Sequence, residues 1–330
     1  MKGRLENEIR LNNHTKELLK ELPDYVTSYY MHIQSSRSAN TCSTYIKTVK
    51  RFLEFTKDDD LSKMDEDTVQ EFLESIKYVE RNGKMERASV SYTKLTCSAL
   101  SSFFQFAYRK KLIDNNPMEY VDRPLRKDYV HRPKLTMEDL QNLLDCVRWN
   151  WRNGTHFWMF RDYTIIYLFI VTGMRKTAMS EINVEDYDPK TGNLTIIDKR
   201  DKEHVYILPK EVRRVLEGWI SRRGRYLERK GFQTDAMFIS EKRTRLNESG
   251  IYDIVTYYTE IAFGEKYSPH KLRAAFISLY YDQTHDIEAV REAVGHASVV
   301  TTGRYITKEN NPRKEAAEFM AESVLRKNIK

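Results

Sequence analysis

Pro117, Pro124 and Pro133 fall within one stretch, Asn115 to Lys134, and no regular helix can run through it. Each proline removes a backbone donor and crowds the carbonyl one turn earlier, so the chain is cut there into a leading and a trailing part. The leading part reads as helix. Tyr45, Val49, Phe52 and Leu53 recur at helical spacing, Val69, Phe72, Leu73 and Ile76 follow Asp65 as an N-cap, and Val90, Cys97, Leu100, Phe104 and Ala107 mark a third segment. These stripes predict a small all-helical bundle. With 330 residues, 40% of them apolar, the chain can build more than one core. The expected division is a helical domain over 1–120, a basic linker over 121–134 and a second domain over 135–330. The linker carries Arg123, Arg126, Lys127, Arg132 and Lys134, candidates for contact with a polyanion.

The second domain opens at Thr136-Met137-Glu138-Asp139, a capping-box-like start to a helix with Leu140, Leu143, Leu144 and Val147 on one face. Between Asn183 and Pro209 the period changes to that of strands. Leu194 to Ile197 and Val205 to Leu208 flank the polar tip Asp198-Lys199-Arg200-Asp201-Lys202-Glu203, which predicts an antiparallel hairpin with Lys199 at its end. The fold class is therefore mainly α with a small antiparallel β-sheet, an α+β chain.

Several polar residues stand at helix ends. The apolar run Ile165 to Val171 stops at Thr172-Gly173, so Gly173 can take a left-handed C-terminal position and Arg175 emerges just beyond it. In Ser268-Pro269-His270-Lys271-Leu272-Arg273, Ser268 is the N-cap candidate and Pro269 the first helical residue. His270 and Arg273 then share a face at the positive end of a helix, which favours an anion. Leu272, Phe276 and Leu279 form the core-facing stripe, and the polar pair is expected to look outward. A further helix from Asp286 ends at Gly295 and delivers His296, with Tyr305 shortly after.

Arg175, Lys199, His270, Arg273, His296 and Tyr305 together supply what phosphodiester transesterification needs without a metal. Guanidinium forks and hydrogen-bond donors suit a charged phosphorane, and a phenol can serve as nucleophile if a base takes its proton. Singly, each has an ordinary reading as a cap, a solvated charge or a packing aromatic. Their combination and order carry the argument. Lys202 shares the hairpin tip, and Lys199 is preferred over it.

Composition narrows the alternatives. Lys and Arg number 55 against 48 acidic residues, a net charge of +7, which is compatible with a polyanionic partner. Cys42, Cys97 and Cys146 form no C-x-x-C pair, so neither a disulfide framework nor a thiolate zinc site is suggested, and a reducing cytoplasm is expected. Neither a signal-peptide core nor an apolar run of membrane-spanning length is present. The phosphate loop G-x-x-x-x-G-K-[ST] and the dinucleotide fingerprint G-x-G-x-x-G are absent as well. The cluster Arg222, Arg223, Arg225, Arg229 and Lys230 reads as a solvated helix face. His14, His32, His131, His156, His204 and His285 read as structural.

Thr172-Gly173-Met174-Arg175, the Lys199 hairpin, His270-x-x-Arg273, Gly295-His296 and Tyr305 resemble, in order and spacing, the boxes of the tyrosine recombinase (phage integrase) family. Xer-type enzymes and transposon or phage integrases are the nearest relatives suggested. The likeness runs through the second domain, and the helical first domain with its basic linker resembles the family's core-binding domain. It implies a C-shaped clamp on duplex DNA in which Tyr305 attacks the scissile phosphate to give a 3′-phosphotyrosyl link. His270 would act as base, Arg175 and Arg273 would hold the nonbridging oxygens, His296 would donate a further hydrogen bond, and Lys199 would protonate the leaving 5′-oxygen. Neither metal nor nucleotide cofactor is implied. The same resemblance implies a tetramer on paired DNA sites, with a C-terminal helix over 312–330 docking between protomers, in a nucleoid-associated cytoplasmic enzyme. Fewer than about 25 residues precede the first convincing helix of the leading domain, so no separate arm-type DNA-binding domain is expected.

One position departs from the family pattern. An acidic residue often stands where this chain has Ala178, with Glu181 following. Either Glu181 substitutes for it from a shifted turn, or the catalytic histidine is less tightly oriented. Two other readings stay open at this point: a type IB topoisomerase-like enzyme, and a DNA-binding regulator that kept the fold and lost turnover.

Overall fold

The computed structural model describes residues 2–58, 60–81, 83–122, 134–153, 157–198, 202–303 and 305. The chain divides into two compact units, one spanning Arg4–His131 and the other formed by Arg132–Lys330 with Met1–Gly3. Most of the basic stretch, including Arg123, Arg126, Lys127 and Arg132, lies outside the described residues, as do Lys199 and the segment 312–330.

The amino-terminal unit holds helices α1 (Lys2–Leu19), α2 (Asp24–Gln34), α3 (Ala39–Thr56), α4 (Glu66–Ser75) and α5 (Val90–Arg109). Local chemistry sets their starts. Ser38, Asp65 and Ser89 each accept a hydrogen bond from a first-turn backbone N–H, from Thr41, Thr68 and Tyr92 respectively. Phe52 on α3 is fully buried and meets Phe72 of α4 and Phe104 of α5 edge-on, with ring centroids 5.2 and 5.5 Å away. The apolar stripes predict a purely helical unit, and the structure corrects this. A two-stranded antiparallel hairpin, β1 (Tyr78–Arg81) and β2 (Lys84–Arg87), stands between α4 and α5, with Gly83 at φ +75° in its turn. Helix α1 lies ahead of the first helix expected from the sequence, and α2 buries Val26, Tyr29, Tyr30 and Ile33 at helical spacing.

The second unit is built around α7 (Phe157–Thr172), which follows α6 (Met137–Asn153). Thr136 and Asp139 form the reciprocal cap of α6: Thr136 N donates to Asp139 Oδ2 at 2.8 Å, and Asp139 N donates to Thr136 Oγ1 at 3.1 Å. Because α7 is apolar around most of its circumference, it can be stable only when covered on several sides. It buries Phe160, Ile165, Ile166, Leu168 and Phe169 and packs against α6, α9 (Lys210–Lys230) and α11 (Pro269–Thr284). Between α7 and α9 come the short α8 (Lys176–Glu181) and an antiparallel sheet of β3 (Tyr187–Asp188), β4 (Asn193–Asp198) and β5 (Lys202–Ile207), in that spatial order. In the β4–β5 hairpin Asn193 pairs with Ile207 and Asp198 with Lys202. The sheet thus has one strand, β3, beyond the two predicted. α10 (Glu248–Phe263), α12 (Ile287–Ala293) and α13 (Val299–Gly303) complete the unit.

Arg223 on α9 departs from the solvated face expected of its cluster. It is buried, its Nε donates to Ala236 O at 2.7 Å and its Nη2 to Thr234 O, while Trp219 one turn earlier donates from Nε1 to Met237 O at 2.9 Å. Arg222 covers the Phe160 ring at 4.2 Å. No helix among the described residues is long and apolar enough to cross a membrane.

Phe52→Ala would remove a ring that two neighbouring aromatics hold edge-on, and the space cannot close without moving α4 or α5. It is expected to cost about 3–5 kcal/mol. Denaturant unfolding of the full chain should show the loss in the transition of the amino-terminal unit.

Candidate active site

The turn after α7 is fixed by its own atoms. Thr172 Oγ1 donates to Leu168 O at 2.6 Å and accepts from Met174 N at 3.3 Å. Gly173 has φ +56°, and its N–H closes the helix on Phe169 O at 3.0 Å. A Cβ there would lie 2.6 Å from Phe276 Cδ1 of α11, so both conformation and packing require glycine. This turn sets Arg175, half-buried, at the N-cap position of α8.

On α11, Ser268 occupies the N-cap position without a side-chain cap bond, and Pro269 opens the helix. His270 is exposed, as expected of an outward pair, but Arg273 is not: it is only 2% exposed. The correction has a clear cause. Arg273 Nη1 donates to Gly173 O at 2.6 Å and Nη2 donates to Val294 O at 2.7 Å. These carbonyls terminate α7 and α12, and helix C-termini carry partial negative charge, so the guanidinium is held between two negative helix ends. Tyr206 of β5 lies beside the same guanidinium.

Gly295, at φ +64°, ends α12 and turns the chain so that His296 points back into the unit, where it is 3% exposed. Its Nδ1 lies 3.0 Å from Oγ1 of Thr302, a fully buried residue on α13. Tyr305 follows α13, with its N–H on Thr302 O at 3.0 Å. The Tyr305 ring packs with Phe276 and Tyr281 on the small cluster of Ile277, Val290 and Val294. It stacks on His296 at 5.7 Å between centroids and meets His270 edge-on at 5.4 Å. Its hydroxyl is 3.1 Å from His270 Nε2.

Five of the six candidate catalytic residues, Arg175, His270, Arg273, His296 and Tyr305, therefore converge in one place. Of the sixth, Lys199, the structure describes only the flanks: β4 ends at Asp198 and β5 begins at Lys202. Lys134, the one candidate DNA contact within the described residues, is half-buried ahead of α6.

The electrostatics are those of a pocket short of negative charge. Burial, then the neighbouring Arg175, brings the Arg273 guanidinium down to about 10, which still leaves it charged at neutral pH. Burial also lowers Arg175. His296 is brought down to about 4 by burial and then by the charges of Arg273, Arg175 and His270. His270 is lowered by lost hydration of its ring and then by Arg273 and Arg175, so near neutrality both imidazoles are uncharged. Among the described residues the charges that act on His270 are both positive, and its Nε2 meets the Tyr305 hydroxyl. Ala178 is buried on α8, and Glu181 closes that helix.

Two residues at this site escaped the sequence reading. His204 and Tyr206 alternate on β5, their rings 4.5 Å apart. Tyr206 lies beside Arg273, while His204 lies near the backbone of Ala293 and is lowered chiefly by burial. Their signal was period two: both lie on one face of the strand that follows Lys199. Among the described residues no group of His, Cys, Asp or Glu side chains is arranged to hold a metal ion.

A helical unit joined to a second unit that gathers two arginines, two histidines and a tyrosine defines a class of DNA strand-exchange protein, and the comparisons with known proteins name it. Residues 134–311 match the phage integrase family, and residues 26–111 match the phage integrase N-terminal SAM-like domain. The chain belongs to the phage integrase, or tyrosine recombinase, family. It is 26% identical over 282 residues to the tyrosine recombinase XerD of Oceanobacillus iheyensis, covering 84% of this chain and 90% of that one. To the tyrosine recombinase XerC of Thermodesulfovibrio yellowstonii it is 28% identical over 287 residues, covering 85% and 90%. In fold it resembles the XerH site-specific recombinase in a post-cleavage complex with palindromic difH substrate, with a TM-score of 0.63, 24% identity and 86% and 81% of the two chains covered. A lambda integrase (75–356) dimer on a COC' core site gives a TM-score of 0.63 at 16% identity, covering 87% and 96%.

Arg273→Lys keeps the charge but loses the fork, since one ammonium cannot serve both Gly173 O and Val294 O in this geometry. The variant is expected to lose about 1–3 kcal/mol of stability, the cost of a buried carbonyl left without its donor. Thermal denaturation in the absence of DNA should show it.

Proposed function

We propose that this chain is a site-specific DNA recombinase that cuts and rejoins duplex DNA through Tyr305. The observation that carries the reading is the 3.1 Å contact between the Tyr305 hydroxyl and His270 Nε2, beside two guanidinium groups. A phenol is a weak nucleophile near neutrality unless a base accepts its proton. An uncharged His270 can accept it. The Tyr305 oxygen then forms a bond to phosphorus, the bond from phosphorus to the 5′-oxygen breaks, and a 3′-phosphotyrosyl link results. Arg175, Arg273 and His296 hold the nonbridging oxygens as charge grows on them. Lys199, which in sequence falls between β4 and β5, gives its proton to the departing 5′-oxygen. The 5′-hydroxyl of a partner strand reverses the step, so the phosphoester energy is retained and no nucleotide is consumed.

The helical half, residues 1–120, and the catalytic half, residues 135–330, each contribute to binding the duplex, with the basic residues of 121–134 as candidate phosphate contacts. Matches to the family's N-terminal and catalytic regions support that division. Recombination proceeds in a tetramer on paired sites, to which 312–330 contributes its docking helix; a lambda integrase tetramer on a Holliday junction is among the structural neighbours. Likeness to recombinases over most of the chain leaves the topoisomerase and regulator readings without support of their own.

Two measurements test the reading. On nicked suicide duplexes built from inverted repeats beside the coding region, the chain should form a covalent DNA adduct. Tyr305→Phe should form none, and Arg175→Ala should cleave at least about a hundredfold more slowly. Absence of any adduct would refute the reading.

The pH profile of cleavage gives the second measurement. His270 works only while unprotonated, and its pKa lies below the usual 6.5, so cleavage should hold as pH falls past 6.5 and decline only at lower pH. An acid limb centred above 6.5 would assign the proton transfer elsewhere.

A further inference from the structure

Thr302 lies outside the set of reacting groups, yet its hydroxyl is fully buried and sits 3.0 Å from Nδ1 of His296. Among the described residues this is the one hydrogen-bond partner found for the hydroxyl, and a threonine oxygen can either donate or accept. Two arrangements are possible. If Nδ1 carried the ring's hydrogen, the Thr302 hydroxyl proton would be left buried without an acceptor, and Nε2 would present a lone pair that repels a phosphate oxygen. If Thr302 donates, no buried donor is orphaned and Nε2–H is free to donate.

The geometry thus points to one assignment: we propose that Thr302 positions His296 by donating its hydroxyl proton to Nδ1, which leaves the ring's own N–H on Nε2. Local packing supports it. The ring cannot rotate away, because Tyr305 stacks on it and the backbone at His296 is tied to Arg291 through His296 N to Arg291 O at 2.9 Å and Arg291 Nη1 to His296 O at 3.1 Å. Thr302 also accepts the Tyr305 N–H on its carbonyl, so a single residue sets both the tautomer of the donor and the place of the nucleophile. A ring brought down to about 4 stays uncharged at neutral pH and has only one N–H to offer, which makes its position matter.

The kinetic consequence rests on the recombinase reading, whereas the tautomer can be measured on the free protein. Nitrogen-15 NMR of the full chain labelled at histidine, with His296 assigned through His296→Gln, should show His296 protonated on Nε2 at pH 7. Thr302→Ser should keep that tautomer, and Thr302→Val should give a mixture. Cleavage of suicide duplexes by Thr302→Val should fall about fivefold to tenfold, the bias of one neutral hydrogen bond, with DNA affinity unchanged and with Ser restoring the rate. A wild-type ring protonated on Nδ1, or a Val variant with the tautomer unaltered, overturns the proposal. If wild-type protein forms no adduct on any duplex, the recombinase reading fails, and the NMR result still decides the role of Thr302.

Discussion

The site depends on one buried cation. Arg273 is almost fully enclosed, and taking a charge out of water costs several kcal/mol unless oriented dipoles replace the lost hydration. Two helix ends supply those dipoles, at Gly173 after α7 and at Val294 at the end of α12. The consequence is geometric. The α7 end launches Arg175, the α12 end launches His296, and α11 itself carries His270. One guanidinium therefore registers three elements that are far apart in sequence, and Tyr305 is laid onto the cluster where two of them meet.

That arrangement also explains the chemistry. A planar group with five donors can serve two backbone carbonyls and still offer N–H groups to a phosphate. Lysine could not. Burial, then the nearby Arg273 and Arg175, lowers both histidines, and the two guanidinium groups make the site attractive to an anion while His270 stays uncharged near neutrality. The two guanidinium groups are charges that a phosphodiester would balance.

What could be seen in the sequence was what neighbouring residues decide among themselves. The caps at Asp65, Thr136 and Asp286, the left-handed glycines at 173 and 295, and the β4–β5 hairpin all depend on contacts within a few positions. Arg273 was placed on the correct helix but on the wrong side of the surface, because its partners are carbonyls of residues remote in sequence. His204 and Tyr206 were missed for the same reason: strand alternation groups them, but only the fold puts Arg273 beside that face. The β1–β2 hairpin was missed although Asn82-Gly83 is a turn signal, since its strands are mostly polar and give little apolar alternation. Arg223 misled in the opposite direction, since a basic run on a helix looks solvated until one member finds buried carbonyls.

The most direct test of the account is a crystal structure of the Tyr305→Phe chain bound to its target duplex. Arg175, Arg273 and His296 should lie within hydrogen-bond distance of the nonbridging oxygens of one phosphate, with the edge of the substituted ring that lost its hydroxyl directed at the phosphorus. A scissile phosphate seated away from Arg273, or Arg273 still enclosed with no N–H turned toward the DNA, would contradict it.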